Sequence, residues 1–360
     1  MNIFKLSKTI ISHLRAGLEK PYSRLMVMSE GSGWSLDIDA KETADAAKRI
    51  GIGSYVVEPR PWKTKQCVHI TSQFLFSYPA FTTMSKRMSV DFFHGYSGLQ
   101  ENFEKPLEAL LNFPGESLRV RVSNSLTEQW ILNAGASKNI IYRIPIGIRI
   151  EWFPLTTMLM RQKSRKELDI PEDSFVVGSF QKDGIGWNEG LEPKMIKGPD
   201  VFLETLSKAK KYIPNLFVLL SGPARGYIKN GLRKINIPFK HSYPSKYKDI
   251  SRLYQALDAY LISSRDEGGP KAFLESLASG IPLVSTRVGQ VFDLATHGKN
   301  ALLSDPEDIA TLNENLILVS QMNESEKISL IAEGRFIAEK YTHENLDNLW
   351  RKIFNEHVVF

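Results

Sequence analysis

Two carboxylates and a glycine-bearing turn stand close together late in the chain, where an apolar strand pattern gives way to a helical one. Glu267 lies in the turn, and Glu275 follows eight residues later on the predicted helix. A carboxylate accepts hydrogen bonds at both oxygens, which suits the hydroxyl groups of a sugar. The helix begins near Lys271, and its unpaired N–H groups favour a phosphate. These residue types would suit a ligand that carries both a sugar and a phosphate, but two glutamates eight residues apart are also common as a solvated loop acid and a helix-surface acid, so the spacing alone leaves both interpretations open.

The segment that contains these acids, SSRDEGGPKAFLESLASGIPLVSTRVG, resembles the retaining, nucleotide-sugar-dependent glycosyltransferases of family 4, which have the GT-B fold. The signature of that family is a glutamate, seven residues, a second glutamate, a small-residue helix end and a Gly-x-Pro-hydrophobic strand. The matching positions are Glu267, Glu275, Gly280 and Pro282. The resemblance implies that Glu267 holds the transferred sugar and Glu275 the ribose. It also implies donor binding by the turn and the helix start, at Gly268, Gly269, Pro270 and Lys271.

The same resemblance implies two cations for the donor diphosphate. Lys182 in VVGSFQKDG falls on the position of the family's arginine, and Lys197 in KGPDVFLETL on that of its lysine. The first of these departs from the family pattern, because lysine is a point charge without the bidentate fork of arginine. The insert between them, Asp183 to Ile196, is longer than usual, contains Trp187 and is expected to cover the donor site.

A glycine farther along the second half is a further candidate. The resemblance implies that the backbone at Gly222, in LLSGPARG, approaches the nucleotide, the alternative being an ordinary strand-to-loop turn. Arg225 follows it and is expected either to add a phosphate contact or to be solvated.

The first half matches the family less tightly. SEGSGW resembles a glycine-rich loop beside the phosphates and acceptor, and VDFFHGYSG resembles a strand-His-Gly segment whose histidine touches the donor sugar. Both assignments rest on the resemblance. The candidates here are Gly31, Ser32, Gly33 and His94.

After residue 22 the sequence alternates between short apolar runs and helical patterns. This alternation predicts stacked βαβ units with mainly parallel sheets, and these units position the candidate residues. It also predicts two α/β halves joined near residue 150, and the resemblance implies that they are the two Rossmann-like domains of a GT-B fold, facing a central cleft. The first comprises residues 1–150 and is expected on the acceptor side. The second, residues 151–335, is expected to bind the nucleotide sugar. C-terminal helices, residues 336–360, are expected to cross back to the first domain, and residues 1–20 form a basic amphipathic helix.

The composition of the chain is typical of a globular protein. The chain has 360 residues, 42% of them hydrophobic, which is enough for two ordinary cores. The single Cys67 cannot form an internal disulfide, and no apolar run is long enough for a spanning helix, so a cytoplasmic protein is expected. The net charge of +6 favours phosphate-rich partners or an anionic membrane, and no nucleic-acid motif is present.

One pattern in the sequence would suit a metal-dependent reaction. Asp37-Ile38-Asp39 fits the Asp-x-Asp pair with which glycosyltransferases of another fold hold a divalent ion. Asp39 is instead predicted to cap a helix that extends to about Ile50. GT-B enzymes neutralise the diphosphate with cations and a helix dipole, so the resemblance implies a reaction that needs no metal and no cofactor.

The sequence thus predicts a glycosyltransferase of the hexosyltransferase type. It would move a sugar, with retention, from a UDP- or GDP-type nucleotide sugar to a glycan or lipid-linked acceptor, in cell-surface polysaccharide or glycoconjugate synthesis. The amphipathic helix of residues 1–20 is expected either to pack against its own domain or to make peripheral contact with the inner membrane surface. Two alternatives stay open, a GT-B nucleotide-sugar epimerase and a non-catalytic nucleotide-sugar-binding protein. Nucleic acid is not an expected partner.

Overall fold

The computed structural model describes residues 24–31, 35–94 and 103–358, and the chain divides into two compact units. Unit 1 comprises Met1–Pro145 and His343–Phe360, and unit 2 comprises Ile146–Thr342. The junctions thus fall a few residues from the predicted 150 and 336. The amphipathic helix predicted over residues 1–20 lies outside the described residues.

Unit 1 is built on a six-stranded sheet in which every neighbouring pair is parallel. The strand order is β2-β1-β3-β4-β5-β6. The strands are β1 Leu25–Met28, β2 Ser54–Val57, β3 Cys67–Ile70, β4 Arg87–Asp91, β5 Ser117–Val122 and β6 Ile141–Arg143. The helices between them are α1 Ser35–Arg49, α2 Gln73–Phe76, α3 Pro79–Thr82, α4 Glu104–Leu111 and α5 Ser125–Asn133, with a 3₁₀ turn at Lys138–Ile140.

Unit 2 has a second six-stranded parallel sheet, with the order β12-β11-β10-β7-β8-β9. Its strands are β7 Phe175–Phe180, β8 Leu216–Ser221, β9 Phe239–His241, β10 Ala259–Ile262, β11 Leu283–Thr286 and β12 Leu302–Ser304. Its helices are α6 Met158–Glu167, α7 Pro199–Ala209, α8 Gly226–Lys234, α9 Ser251–Tyr254, α10 Lys271–Ala278, α11 Gln290–Leu294, α12 Ile309–Gln321 and α13 Glu324–Lys340. Short 3₁₀ segments lie at Ile150–Trp152, Met195–Lys197 and Tyr247–Ile250.

Alternation along the strands of unit 2 supplies a core on each face of the sheet. In β8, Phe217 and Leu219 pack into one apolar cluster, whereas Val218 and Leu220 pack into the other. Successive side chains of a strand point to opposite faces, so a continuous apolar run fits a sheet that helices cover on both sides. The two cores hold the carboxyl ends of β7 and β10 side by side.

The C-terminal segment belongs to unit 1 through a 3₁₀ turn at Glu344–Leu346 and the helix α14, Asp347–Phe354. Arg49 of α1 donates to both carboxylate oxygens of Asp347, with nitrogen–oxygen distances of 2.8–3.0 Å. The ring of His69 in β3 meets the rings of Trp350 and Phe354 edge-on, with centroids 6.1 and 5.9 Å apart. Aromatic contacts and an ion pair therefore fix α14 to unit 1.

A cluster of buried polar side chains lies beneath α14. His69 lies 2.8 Å from the Ser89 hydroxyl and 3.2 Å from Asp91 Oδ1, and Arg121 lies 3.3 Å from Asp91 Oδ2. Burial alone would raise the pKa of Asp91, but Arg121 and His69 outweigh it and hold that pKa below its ordinary value. This serine, histidine and aspartate are all fully buried, so they support the core rather than a reaction.

The sequence predicted several elements closely and others poorly. The apolar runs predict strands at Ser54–Val57, Cys67–Ile70 and Leu216–Ser221, and these are the bounds of β2, β3 and β8. A further strand is predicted at Val90–Phe93, but β4 begins three residues earlier, at Arg87, and ends at Asp91. The prediction that Asp39 caps a helix is wrong, because α1 already begins at Ser35 and Asp39 lies inside it. The strands β9 and β12 were missed, since each has three residues and too short a pattern to stand out.

Candidate functional site

The candidate site lies in unit 2, where the strand order reverses. The chain leaves β7 toward β8 on one side, whereas β10, on the other side of β7, continues to β11 and β12. In parallel α/β sheets such a switch point leaves a crevice at the carboxyl ends of the two strands. Lys182 follows β7 by two residues and Glu267 follows β10 by five, so two predicted site residues come from these two ends.

Glu267 and Lys197 form the centre of this site. The Lys197 ammonium nitrogen lies 2.6 Å from Glu267 Oε2, and the Ser264 hydroxyl donates to Glu267 Oε1 over 2.9 Å. The two charged side chains are 15% and 8% exposed. An ammonium group has three N–H donors, so Lys197 keeps hydrogen-bonding capacity for a further anion. The structure thus brings together the predicted sugar-binding carboxylate and a predicted phosphate-binding cation.

Gly198 fixes the position of Lys197. It ends the 3₁₀ turn Met195–Lys197 and begins α7 with a left-handed φ of 59°. A Cβ at this residue would stand 1.9 Å from the carbonyl oxygen of Ser263, whose hydroxyl donates to Gly198 O over 2.8 Å. Only glycine allows this close backbone approach between the α7 start and the end of β10.

Arg265 ties the same two segments together, and sequence reasoning missed it. Its guanidinium donates to both carboxylate oxygens of Asp200 at 2.7 Å, and its backbone N–H donates to Ile196 O over 2.9 Å. It also pairs with Glu307. Asp200 and Arg265 are 65 residues apart, so no local pattern could have indicated the pair.

Glu275 is held by two tyrosines. Tyr254 donates its hydroxyl to Oε2 over 2.7 Å, and Tyr247 donates to Oε1. Burial raises the pKa of the Glu275 carboxyl, and the two tyrosine hydrogen bonds oppose that rise. Each carboxylate oxygen accepts more than one hydrogen bond, so this arrangement still fits two sugar hydroxyls. The tyrosines were missed, although their spacing of seven residues would place them on one helical face.

The turn between the two glutamates packs against the start of α11. Gly268 O accepts the N–H of Gln290 over 3.2 Å, and a Cβ on Gly269 would stand 2.8 Å from the Gln290 side chain. Pro270 precedes α10 and accepts the N–H of Phe273 over 2.9 Å, and Lys271 is the first residue of that helix. A side chain at Gly269 would therefore collide with the Gln290 side chain.

Gly222 lies at the end of β8 with a φ of 97°, and a Cβ there would stand 2.7 Å from Gln181 O. Its carbonyl oxygen is 2.8 Å from His241 Nε2. Burial, aided by nearby Lys229 and Arg225, lowers the pKa of His241. The backbone of the β8 loop thus comes close to the end of β7.

The expectation for Arg225 is wrong in both its forms. The side chain is buried, and its guanidinium donates to the carbonyl oxygens of Ser179, Gln181 and Ser221 at 2.7–2.9 Å. With these donors engaged, Arg225 braces the ends of β7 and β8 and is neither solvated nor available to a phosphate.

Lys182 contacts an aromatic ring of the insert that follows it. Its ammonium nitrogen lies 4.0 Å from the centroid of the Trp187 indole. This distance is within the range of a cation–π interaction.

The candidates of unit 1 are described only in part. Gly31 has a φ of 70° and donates its N–H to Asp37 Oδ1 over 2.8 Å, whereas Ser32 and Gly33 lie outside the described residues. The backbone N–H of His94 donates to Gln73 Oε1 over 2.9 Å, and the Gln73 amide donates to His94 O over 3.0 Å. Gln73, which sequence reasoning missed, therefore fixes the backbone at the candidate histidine.

Metal-binding clusters and membrane-spanning helices were sought in residues 24–31, 35–94 and 103–358. These ranges contain no group of three or more His, Cys, Asp or Glu side chains arranged to hold a metal ion. No helix within them combines the length and apolar character that crossing a bilayer requires.

Asp266 is expected to make stability depend on pH. Burial and the charge of Glu267 raise its pKa to about 6 from 3.8, against the opposing effect of Lys197. The folded state then binds the proton more tightly, so this stabilisation is present below pH 3.8 and is lost as pH rises through 6. We expect Asp266→Asn to raise the free energy of unfolding by about 2 kcal/mol at pH ~7.5 and hardly at all at pH ~4.

Urea unfolding of both proteins at the two pH values measures this difference. A stabilisation of the same size at both values would show that the charge of Asp266 is not its source.

Comparisons with known proteins bear on the same region. Residues 190–334 match the model of the family described as Glycosyl transferases group 1. An uncharacterized glycosyltransferase of Haemophilus influenzae is 26% identical over 160 residues, 44% of this chain and 45% of that protein. The O-antigen biosynthesis glycosyltransferase WclY of Escherichia coli is 25% identical over 254 residues, 67% and 63% of the two chains. The chain thus spans about half of the length of the curated relatives it matches.

A solved structure resembles nearly the whole chain. The crystal structure of HepE from Anabaena in complex with UDP and glucose has a TM-score of 0.75 at 14% identity, and the alignment covers 93% of this chain and 100% of that one. Together with the two parallel six-stranded sheets, this likeness confirms the predicted GT-B fold.

Proposed function

We propose that this protein is a retaining glycosyltransferase that moves a sugar from a nucleoside diphosphate sugar to a hydroxyl of a glycan or lipid-linked acceptor. The observation that carries the proposal is the contact of Lys197 with Glu267 at the strand-order reversal of unit 2. This pair lies within the residues that match the glycosyltransferase family model. HepE is described in complex with UDP and glucose and WclY as an O-antigen biosynthesis enzyme, which supports a UDP-type donor and a role in polysaccharide synthesis.

The hard step of such a transfer is the departure of the nucleoside diphosphate while the anomeric carbon becomes cationic. Groups that stabilise the leaving phosphates more strongly in the transition state than before it lower the barrier. We assign this task to Lys197, Lys182 and the N-terminus of α10 at Lys271, and a charged contact of this kind contributes about 2–4 kcal/mol. With these positive groups, the transfer needs no metal ion.

Each glutamate then has a distinct role. Glu275, oriented by Tyr247 and Tyr254, accepts hydrogen bonds from the ribose hydroxyls. Glu267, whose oxygens already contact Lys197 and Ser264, accepts hydrogen bonds from the transferred sugar. The leaving phosphate takes the proton of the acceptor hydroxyl on the same face of the sugar, so the anomeric configuration is retained. His94, Gly31, Ser32 and Gly33 are proposed as further donor-binding residues.

A donor screen followed by product analysis tests this function. A ligand at 100 times its dissociation constant stabilises the folded protein by ~2.7 kcal/mol, which a thermal-shift measurement detects. We expect a UDP- or GDP-sugar to raise the melting temperature, and NMR of the product to show the anomeric configuration of the donor. Inversion of that configuration would overturn the retaining mechanism, and a lack of stabilisation by all common nucleotide sugars would overturn the function.

A non-catalytic nucleotide-sugar-binding protein is the second candidate. It is favoured by Lys182, which replaces the arginine of the family pattern and lies on the Trp187 ring. Donor binding by calorimetry without turnover across a panel of acceptors would favour it. Release of a rearranged sugar from the donor alone would instead indicate a nucleotide-sugar epimerase.

A further inference from the structure

We propose that Trp187 is a positioning residue that holds the ammonium group of Lys182 in place for the donor diphosphate. The inference rests on the proposed function, in which Lys182 contacts that diphosphate. Two departures from the family pattern meet here, because the chain has lysine in place of arginine and a long insert directly after it. The structure connects them, since the ammonium nitrogen lies 4.0 Å from the centre of an indole that the insert supplies.

The insert is a closed loop with its own backbone hydrogen bonds. Lys194 donates its N–H to Asp183 O over 2.8 Å, and Ile185 donates to Glu192 O over 2.9 Å. Gly184 and Pro193 form an antiparallel bridge between these two bonds. The two arms of the loop are therefore paired at its base, and Trp187 lies near its tip.

The loop is also fixed to the segment that follows β8. Gly226 donates its N–H to Glu189 O over 2.6 Å, and Tyr227 donates to Gly190 O over 2.8 Å. Gly190 has a φ of 69°, and a Cβ there would stand 2.3 Å from Ala224 O. The far arm thus packs directly against the backbone of the neighbouring loop, with no space for a side chain between them.

A buried ion pair anchors the near arm. Asp183 follows Lys182 directly, and its Oδ2 lies 3.1 Å from a guanidinium nitrogen of Arg225, with both side chains almost fully buried. Arg225 in turn donates to carbonyl oxygens at the ends of β7 and β8. Separating the two groups would leave two unpaired charges in the interior. Because an unpaired buried charge costs free energy, the two side chains stay in contact. The base of the loop is consequently fixed to the strand ends from which Lys182 projects.

The base of the loop is anchored and Trp187 near its tip is exposed, so this loop can hold the side chain of Lys182 in one place. Trp187 is 57% exposed, although tryptophan has a large apolar side chain. Packing in the hydrophobic core therefore does not explain why a tryptophan occurs at this position. A lysine side chain has four rotatable bonds, and an indole that attracts its ammonium group restricts the positions that it explores. The indole face therefore supplies part of the pre-organisation that the planar guanidinium of arginine would have brought.

The test is a set of binding measurements with UDP and GDP as probes. We expect Trp187→Leu to weaken nucleoside diphosphate binding about fivefold in calorimetry, because an exposed cation–π contact is lost. Trp187→Phe keeps an aromatic face and should bind within about twofold of the wild type. Ile185→Ala, a neighbouring change on the same loop at a residue that is 51% exposed, serves as the matched control and should leave binding unchanged.

A double-mutant cycle separates positioning from direct contact. If Trp187 acts only through Lys182, Trp187→Leu has no further effect on binding in a Lys182→Ala background. A loss of equal size in both backgrounds would overturn the inference, since the indole would then contact the ligand itself. Tighter binding by Trp187→Leu would also overturn it, because the ring would then withdraw Lys182 from the phosphates.

The outcomes also distinguish this inference from the proposed function. Wild-type binding of UDP or GDP with an unchanged affinity in Trp187→Leu would overturn the inference and leave the function standing. A wild-type protein that binds neither probe would overturn both.

Discussion

Turnover is expected to fall at least ~100-fold when Lys197 is replaced by alanine, with the fold retained. Lys197 is the cation that the structure places against Glu267, at 2.6 Å, and both side chains are largely removed from water. A charge in such a place stabilises the leaving diphosphate far more than a surface charge does. Steady-state transfer with the donor that the screen selects measures the loss, and near-normal turnover would remove Lys197 from the mechanism.

Two further variants separate catalysis from stability in this experiment. Lys197→Ala leaves the charge of Glu267 buried without its partner, which we expect to lower the free energy of unfolding by about 3 kcal/mol. The double variant Lys197→Ala/Glu267→Gln removes both charges, so stability should largely recover while transfer stays low. Lys208→Ala is the matched surface control, because Lys208 is half exposed and pairs with Glu204 on α7, and it should leave turnover unchanged.

Gly198→Ala is expected to destabilise the protein by about 4 kcal/mol or more. The residue has a left-handed φ of 59°, and the added Cβ would stand 1.9 Å from the carbonyl oxygen of Ser263. Backbone strain and a collision with backbone that cannot move aside act together, so the α7 start must shift away from β10. That shift would also displace Lys197, so we expect loss of transfer along with the loss of stability. Urea unfolding and transfer assays at low temperature measure the two effects.

Gly186→Ala is the matched control for this substitution. Gly186 has a comparable φ of 75°, but a Cβ there would meet nothing within 4 Å. It therefore isolates backbone strain from collision, and we expect a loss of about 1 kcal/mol. If both variants lost the same stability, the contact with Ser263 O would not be what requires glycine at position 198.

The fold was largely predictable because its pattern is local. Apolar runs such as Leu216–Ser221 are recognisable as buried parallel strands without knowledge of their neighbours, and the bounds of this one are as predicted. Residue type alone did not predict where helices start. Asp39 satisfies the residue preference of a cap, yet α1 begins four residues earlier, because residue preference alone does not select among nearby starts.

Only those residues of the candidate site that lie close together in the sequence could be predicted from a motif. The signature positions Glu267 and Glu275 are eight residues apart and stand on one turn and helix, so the sequence itself places them near one another. No such signal marked the partners that hold them. Tyr254 reaches Glu275 across 21 residues and Lys197 reaches Glu267 across 70, and such pairs exist only after the strands have aligned.

Strand and helix periodicity and motif spacing are properties of neighbours along the chain, so they sufficed to predict the α/β class and the positions of the candidate glutamates and lysines, and the resemblance of those motifs implied the GT-B fold. Contacts between distant segments became known only from the folded domain: β10 lies beside β7, Lys197 pairs with Glu267, Arg225 is buried under the β8 loop and Trp187 contacts Lys182. The physical reason is that strand order and burial follow from packing the whole domain, and side-chain contacts between distant segments are set only once that packing is complete.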